Sequence, residues 1–495
     1  MHNAVFQRTP LLAGDDCEQK RTEILRYFQA TFDHYEQLFE VLTCDEAYVK
    51  KPISLRHPLI FYLGHTATFF INKLLLAGLI ERRINPAFES MFAIGVDEMS
   101  WDDLNDARYD WPSVAAVKDY RQQVRATVSR LIETLPLQLP IGWDHPWWII
   151  VMGVEHERIH LETSSVLIRQ HELRYVKPHP AWAPCRTAGV APANALVAVP
   201  SADVRLGREL DDPWVYGWDN EFGRHSATVA PFQASRYLVT NQEFLAFVEA
   251  GGYADDTLWQ EEGAAWKTFA RAEHPTFWVK DGAGWRLRLM LEEVPMPWDW
   301  PVETNYHEAK AFCQWKARES GQPVRLPTED EWHALRMHGG IDSIDAIDSG
   351  ATEANLELDR YASSCPVDAH AHGPLFDVVG NVWQWTRTPI DGYDGFAIHP
   401  LYDDFSTPTF DGRHDLIKGG SWVSSGNLAI RHSRYAFRRH FFQHAGLRYL
   451  VSNYQENTAV NPYVTDLPVA QALESQYGAP AGELALPETA TANPW

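Results

Sequence analysis

The chain has 495 residues, enough for roughly two to four domains that each bury a core. Its 66 acidic against 43 basic residues give a net charge of −23, and no basic stripe offsets it, which excludes nucleic acid as a partner. Five cysteines (Cys17, Cys44, Cys185, Cys313 and Cys365) with no CxxC spacing read as reduced thiols rather than a disulfide framework, so the expected location is cytoplasmic.

The first residues, MHNAVFQRTPLLAGDD, lack the apolar stretch and cleavage pattern of a secretory signal. No apolar run reaches the roughly 18 residues of a membrane span, so no membrane partner is expected. Residues 15–175 read as helical. Apolar residues recur at three- and four-residue steps from Cys17 to Leu42, from Leu59 to Ile80, from Val114 to Leu135 and from Trp147 to His171. Pro58 suits the opening of the second helix, and His57 before it is held extended. Four long helices joined by loops predict a four-helix bundle, in which metal sites are built from facing helices. Residues 176–198, rich in Pro and Ala, read as a linker. From 199 to 450 the pattern changes to short β-like runs with many Gly, Pro and Asn turns. Two brief helices are expected near 241–249 and 305–319, which makes this an α+β domain of low regular content. Residues 451–495 drift into Pro, Ala, Glu and Thr and read as an arm or tail.

Three histidines stand out in the helical part. His156 and His160, in GVEHERIHLETSS, are spaced i, i+4 and share one helix face. His65, in LGHTATFF, sits on another helix and can complete a set of three nitrogens that leaves metal positions open for chemistry. The bland alternatives are a polar helix face and a satisfied core histidine. The string from His156 to His160 also matches HExxH, which taken alone points to a zinc metallopeptidase with Glu157 as base. No HxxGxxH continuation follows. Glu162 lies about 200° around the helix from His160, so it supports the ligand helix from outside the metal face or forms a structural pair.

In the second part the strings LVTNQEFLAFVEAGGY (238–253), PVETNYHEAKAFCQW (301–315), RLPTEDEWHALR (325–336), FDVVGNVWQWT (376–386), KGGSWV (418–423) and RRHFFQHAGLR (438–448) follow in a specific order. Together they resemble the formylglycine-generating-enzyme/sulfatase-modifying fold, a C-type-lectin-like scaffold, over nearly all of 199–450. The helical part resembles the DinB-like bundle. The pairing resembles the iron-dependent sulfoxide synthases of thiohistidine biosynthesis. The stretches HPLIFYLGHTATFFINKL, GVEHERIHLETSSVLIRQ and HPLYDDFSTPTFDGRHDLIKGGSW resemble their ovothiol branch, the 5-histidylcysteine sulfoxide synthases.

The resemblance implies Fe(II) on His65, His156 and His160, O2 as co-substrate, and L-cysteine and L-histidine as substrates joined into a sulfoxide. Direct coordination of the thiolate would lower its pKa and hold sulfur near the imidazole carbon. It also implies an active-site tyrosine. Tyr402 in HPLYDDF matches by region, with Tyr393 in DGYDGF as the rival, and either residue also suits a buried structural phenol. Arg434, Arg438 and Arg439 are candidates to clamp a substrate carboxylate, against the alternative of a solvated basic face. The ergothioneine branch commonly carries Gln just before the last histidine ligand, where it helps bind trimethylhistidine; here that position is Ile159. An ergothioneine-type synthase using trimethylhistidine with cysteine or γ-glutamylcysteine is therefore the nearest alternative. A copper-dependent formylglycine-generating oxidase needs late cysteines, and none follows Cys365. Ovothiol-branch chains commonly carry a fused methyltransferase. Residues 461–480 resemble its beginning, so a separate methyltransferase is the expected downstream partner.

Overall fold

The computed structural model describes residues 8–93, 109–211, 214–341 and 353–452; the expected tail beyond 452 lies outside the described residues. The helical part contains α1 (Cys17–Phe39), α2 (Asp45–Val49), α3 (Leu59–Leu76), α4 (Pro86–Met91), α5 (Val114–Thr134) and α6 (Pro146–Gln170). Their ends follow local chemistry. The Asp16 carboxylate accepts from the backbone N–H of Glu18 and Gln19, Ser113 caps α5, and Pro146 opens α6. Helices α1, α3, α5 and α6 pack together as the predicted bundle. At the α3–α6 crossing a Cβ on Gly153 would lie 2.2 Å from the Phe70 ring, so only glycine allows this approach.

Against the sequence expectation, α3 is long and apolar enough to cross a bilayer by length and composition, yet most of it is buried in the protein. It is a core helix of the bundle. Helix α6 is buried on nearly every face along its length, which explains its mixed sequence. One side packs in the bundle and the other receives the second domain, so its polar residues need partners there.

Among the described residues that second domain is mostly loops around short strands and four helices: α7 (Asn241–Glu249), α8 (Glu261–Ala270), α9 (Tyr306–Ser320) and α10 (Glu329–His338). The sequence reading anticipated α7 and α9 and missed α8 and α10. One four-stranded sheet runs Leu196–Val199, Phe232–Ser235, Leu450–Val451, Val324–Arg325 in spatial order. A second runs Tyr435–Arg438, His414–Lys418, Trp383–Pro389, Ala445–Gly446, the last pair parallel. The expected linker is laid down firmly. Trp182 and Cys185 are buried, and the backbone N–H of Cys185 donates to Ser363.

The domains meet along α6 through specific polar contacts. Glu162 accepts from the Trp383 indole at 2.5 Å, Ser421 at 3.0 Å and Ser424 at 2.7 Å. Glu155 accepts from the backbone N–H of Asn427 at 2.8 Å, beside Gly426, where φ is +62° and a Cβ would meet the carboxylate at 2.4 Å. Ser165 bonds His444 at 2.8 Å, and Arg169 pairs with Glu303 at 2.5 Å. Trp383 of FDVVGNVWQWT, Ser421 of KGGSWV and the adjacent Ser424 thus form part of the docking face for α6.

One buried carboxyl gives the fold a testable pH dependence. Glu308 closes a capping box with Asn305 at the start of α9 and accepts from the Tyr253 hydroxyl at 2.6 Å. Burial pushes its pKa up to about 7, despite those hydrogen bonds. The native state therefore favours the protonated form, and its stabilising effect, full below the unfolded value, is lost as pH rises toward 7. Glu308→Gln keeps the cap and stays neutral. It should be more stable than the wild type at pH 8, by at most about 3 kcal/mol, and not at pH 4. Urea unfolding at the two pH values checks this; an unchanged difference between them would contradict it.

Candidate metal centre

His65 lies in the middle of α3, and His156 and His160 lie one turn apart on α6. The α3–α6 packing brings them together. One ring nitrogen from each lies within 4.8 Å of the other two, and the ring centroids are 4.5–5.0 Å apart. Each imidazole is braced by an aromatic ring of α3. Phe61 stacks on His65 at 5.0 Å, Phe69 on His156 at 3.7 Å, and Tyr62 lies 6.0 Å from His160. His65 Nδ1 lies 2.7 Å from the Phe92 carbonyl, to which it donates, so Nε2 is left with its lone pair for a metal.

The donor set fits a borderline transition metal such as Fe(II) or Zn(II). Burial, together with His160, His65 and Lys73, holds the His156 pKa well below its usual value, so the ring is neutral. Its Nδ1 is buried with no hydrogen-bond partner, an unmet acceptor or donor of the kind an ion accounts for. Three clustered neutral imidazoles with no carboxylate among them leave a bound divalent ion net positive, which favours an anionic ligand such as thiolate.

Glu157 does not join this set. One residue beyond His156 it points into the bundle, fully buried, where it pairs with Arg121 at 2.6 Å and accepts from Thr66 at 3.3 Å. The metallopeptidase reading of HExxH thus loses its base: the carboxylate is tied to a guanidinium away from the histidines. Glu162 also stays outside the set and holds the second domain against α6.

Tyr402 reaches the centre. Its ring lies 4.9 Å from Phe69 and 6.1 Å from His156, and Lys73 Nζ sits 4.2 Å above it. Lys73 is two turns after His65 on the same α3 face. Trp218 and Phe405, stacked at 4.0 Å, support the tyrosine from the second domain. Tyr393, the rival, is engaged elsewhere: its hydroxyl donates to Glu329 at 3.1 Å and its ring lies under the Arg434 guanidinium at 3.8 Å.

A cavity opens beside His160. Arg56, Ile159, Asn220, Ile390, Phe405 and Arg434 are among its walls. Of the three arginines anticipated as clamps, only Arg434 lines it, and that guanidinium already bonds both Glu329 oxygens and the carbonyls of Asn220 and Asp391. Arg439 is tied to Asp415 at 2.5 Å and Glu262 at 3.0 Å, a structural pairing across the sheet edge. Arg438 stands on the Tyr435–Arg438 strand opposite His414 and is not part of the cavity wall. Sequence reasoning missed Arg56, Asn220 and Lys73. The only signal was the placement of Lys73 at i+8 from His65.

Residues 184–452 match the family described as the Sulfatase-modifying factor enzyme 1-like domain, and residues 27–164 match the DinB superfamily. Hercynine oxygenase of Mycolicibacterium smegmatis is 28% identical over 435 residues, covering 82% of this chain and 94% of that protein. Ergothioneine biosynthesis protein 1 of Neurospora crassa is 23% identical over 498 residues, covering 81% of this chain and 55% of that longer protein. Formylglycine-generating enzyme of Thermomonospora curvata is 28% identical over 236 residues, covering 39% of this chain.

Proposed function

Since the chain belongs to the Sulfatase-modifying factor enzyme 1-like domain family, with a DinB-superfamily bundle ahead of that domain, we propose that it is an iron- and O2-dependent sulfoxide synthase. It joins the sulfur of a cysteine-type thiol to the imidazole of a histidine-type substrate. The observation that carries this reading is the set of three imidazoles from α3 and α6 beside a cavity lined by both domains. The names of the relatives, an oxygenase and an ergothioneine biosynthesis protein, support it.

Fe(II) held by His65, His156 and His160 would supply O2 activation and thiolate binding. The balance is one thiol, one imidazole C–H and one O2 in, and one sulfoxide and one water out. A carbon–sulfur bond forms, S–H and C–H bonds break, and O2 takes up the four electrons. The chain's own residues position and protonate. Phe61 and Phe69 fix the ligand rings, the Phe92 carbonyl fixes the His65 tautomer, and Arg56 stands in the cavity wall. The Tyr402 hydroxyl provides the proton for the oxygen that leaves as water.

Two histidine substrates have support. The relatives' names favour hercynine, the trimethylated form. Ile159, which lines the cavity in place of an amide, favours unmodified L-histidine with L-cysteine, the 5-histidylcysteine product of ovothiol biosynthesis. The test is to load the protein with Fe(II) without air, offer cysteine or γ-glutamylcysteine with histidine or trimethylhistidine at equal concentration, admit O2 and weigh the products. A coupled sulfoxide from any pair supports the synthase, and the preferred pair identifies the branch. No coupling with any pair would sink it.

A further inference from the structure

Lys73 ends a stripe of α3 residues that runs along the metal centre. Phe61, His65, Phe69 and Lys73 recur every four residues and share one helix face. Phe61 stacks on His65, and Phe69 stacks on His156. The Lys73 ammonium lies over two ring faces, 5.4 Å from the centre of Phe69 and 4.2 Å from that of Tyr402. A lysine on a helix surface ordinarily runs its stem along apolar neighbours and carries its charge out to water. Here the head stays over rings, and burial pushes its pKa down against the pull of Asp404 and Asp403.

Tyr402 comes to this stripe from the second domain, on a long connection. Between the strands Trp383–Pro389 and His414–Lys418 the chain runs from 390 to 413 with one short helical turn, Thr407–Thr409. Local hydrogen bonds shape this loop. The Tyr402 N–H donates to the His399 carbonyl at 3.0 Å, and the Thr407 hydroxyl donates to the Asp403 carbonyl at 3.0 Å. Such bonds set the course of the loop but not its distance from the bundle. At Tyr402 the contacts that cross to the bundle are the Phe69 ring at 4.9 Å, the His156 ring at 6.1 Å and the Lys73 ammonium. A cation over a ring face is drawn to its centre by the ring quadrupole, and more strongly where water is excluded. Asp403 and Asp404, exposed on the same loop, add a longer-range attraction in the same direction.

We infer that Lys73 is a positioning residue: its ammonium, seated over the Tyr402 ring, ties the loop of the second domain to the bundle and holds the phenol beside the three histidines. The inference rests on the sulfoxide-synthase reading, under which Tyr402 delivers a proton, and adds the group that keeps that tyrosine in place. Two substitutions separate the charge from the packing. Lys73→Met fills much the same space without the cation, and Lys73→Arg keeps a cation that also packs on aromatic faces.

Two measurements on the full chain test it. The first is amide hydrogen exchange of the metal-free protein, read by mass spectrometry on peptides spanning 399–410. Exchange there should be about tenfold faster in Lys73→Met than in the wild type, and within about twofold of the wild type in Lys73→Arg. The second is the ratio of cysteine sulfinate to coupled sulfoxide made by the Fe(II)-loaded variants at equal iron content and saturating substrates. That ratio should rise in Lys73→Met, return toward the wild type in Lys73→Arg, and rise no further when Lys73→Met is added to Tyr402→Phe. If Lys73→Met does not fold, Lys73→Gln takes its place in both measurements. Unchanged exchange without the cation overturns the inference, and so does equal acceleration in Lys73→Arg or a further shift on top of Tyr402→Phe. If exchange fails in this way while the wild type still couples a thiol to an imidazole under O2, the function stands and only the role of Lys73 falls. If exchange behaves as expected and the wild type couples nothing, the tie between loop and bundle stands and the synthase reading falls.

Discussion

His156→Ala should lose Fe(II) binding and turnover together. This ring is the most constrained of the three: 2% exposed, stacked on Phe69, and one turn from His160 on a helix buried on both sides. Two ligands on two separate helices cannot hold a divalent ion as three do. The expected loss of affinity exceeds about 100-fold, since removal of a mere supporting partner of a ligand already costs 10–100-fold. His65→Ala should behave in the same way, although it lies on the other helix. Iron content after anaerobic loading and desalting, read beside O2 uptake, measures both quantities. Full iron occupancy in His65→Ala at the wild-type rate would remove α3 from the centre and return the site to an isolated HExxH.

Tyr402→Phe should keep iron and substrates bound but change what is made. A cysteine-type thiolate held beside O2 would have two outcomes. Sulfur takes both oxygen atoms and becomes a sulfinate, or it takes one while bonding to the imidazole carbon and the other leaves as water. The second route needs a proton at the departing oxygen, and a phenol within hydrogen-bond reach can give it. Tyr402 is the tyrosine whose ring packs against both Phe69 and His156, whereas Tyr393 is committed to Glu329. The product ratio should therefore shift toward cysteine sulfinate in Tyr402→Phe and stay unchanged in Tyr393→Phe. The fold should lose no more than about 1 kcal/mol, the worth of one hydroxyl. A wild-type ratio in Tyr402→Phe together with a shifted ratio in Tyr393→Phe would reverse the assignment.

Much of this centre is legible in the sequence because it follows helix periodicity. The spacing of His156 and His160 alone places both rings on one face, and the long apolar runs make α3 and α6 neighbours in a bundle. The 100° step from His156 to Glu157 already turns that carboxylate off the face, and the structure supplies its partner, Arg121. The cavity is not legible in the same way. Arg56 and Asn220 are 164 positions apart, in a loop before α3 and a turn of the second domain, and only the docking of the domains along α6 brings them to one space. The arginines of RRHFFQHAGLR show how little charge alone says about partners. Their charge suggests a ligand clamp, but Arg439 stands beside Asp415 and Glu262 and is neutralised by them. Helix α10 escaped notice although Thr328 and Glu331 form a capping box at its start, because the run is ten residues long and mostly polar.

The Fe(II)-loaded protein, given its preferred thiol and histidine derivative with isotopically labelled O2, should release one coupled product. That product should have the mass of both substrates plus O2 less one water, with a single labelled oxygen on sulfur. The zinc-loaded protein and His156→Ala should release none. Coupling that proceeds equally well with zinc or without His156, or a product whose sulfur carries no label, would contradict a three-histidine iron centre that joins sulfur to imidazole with O2.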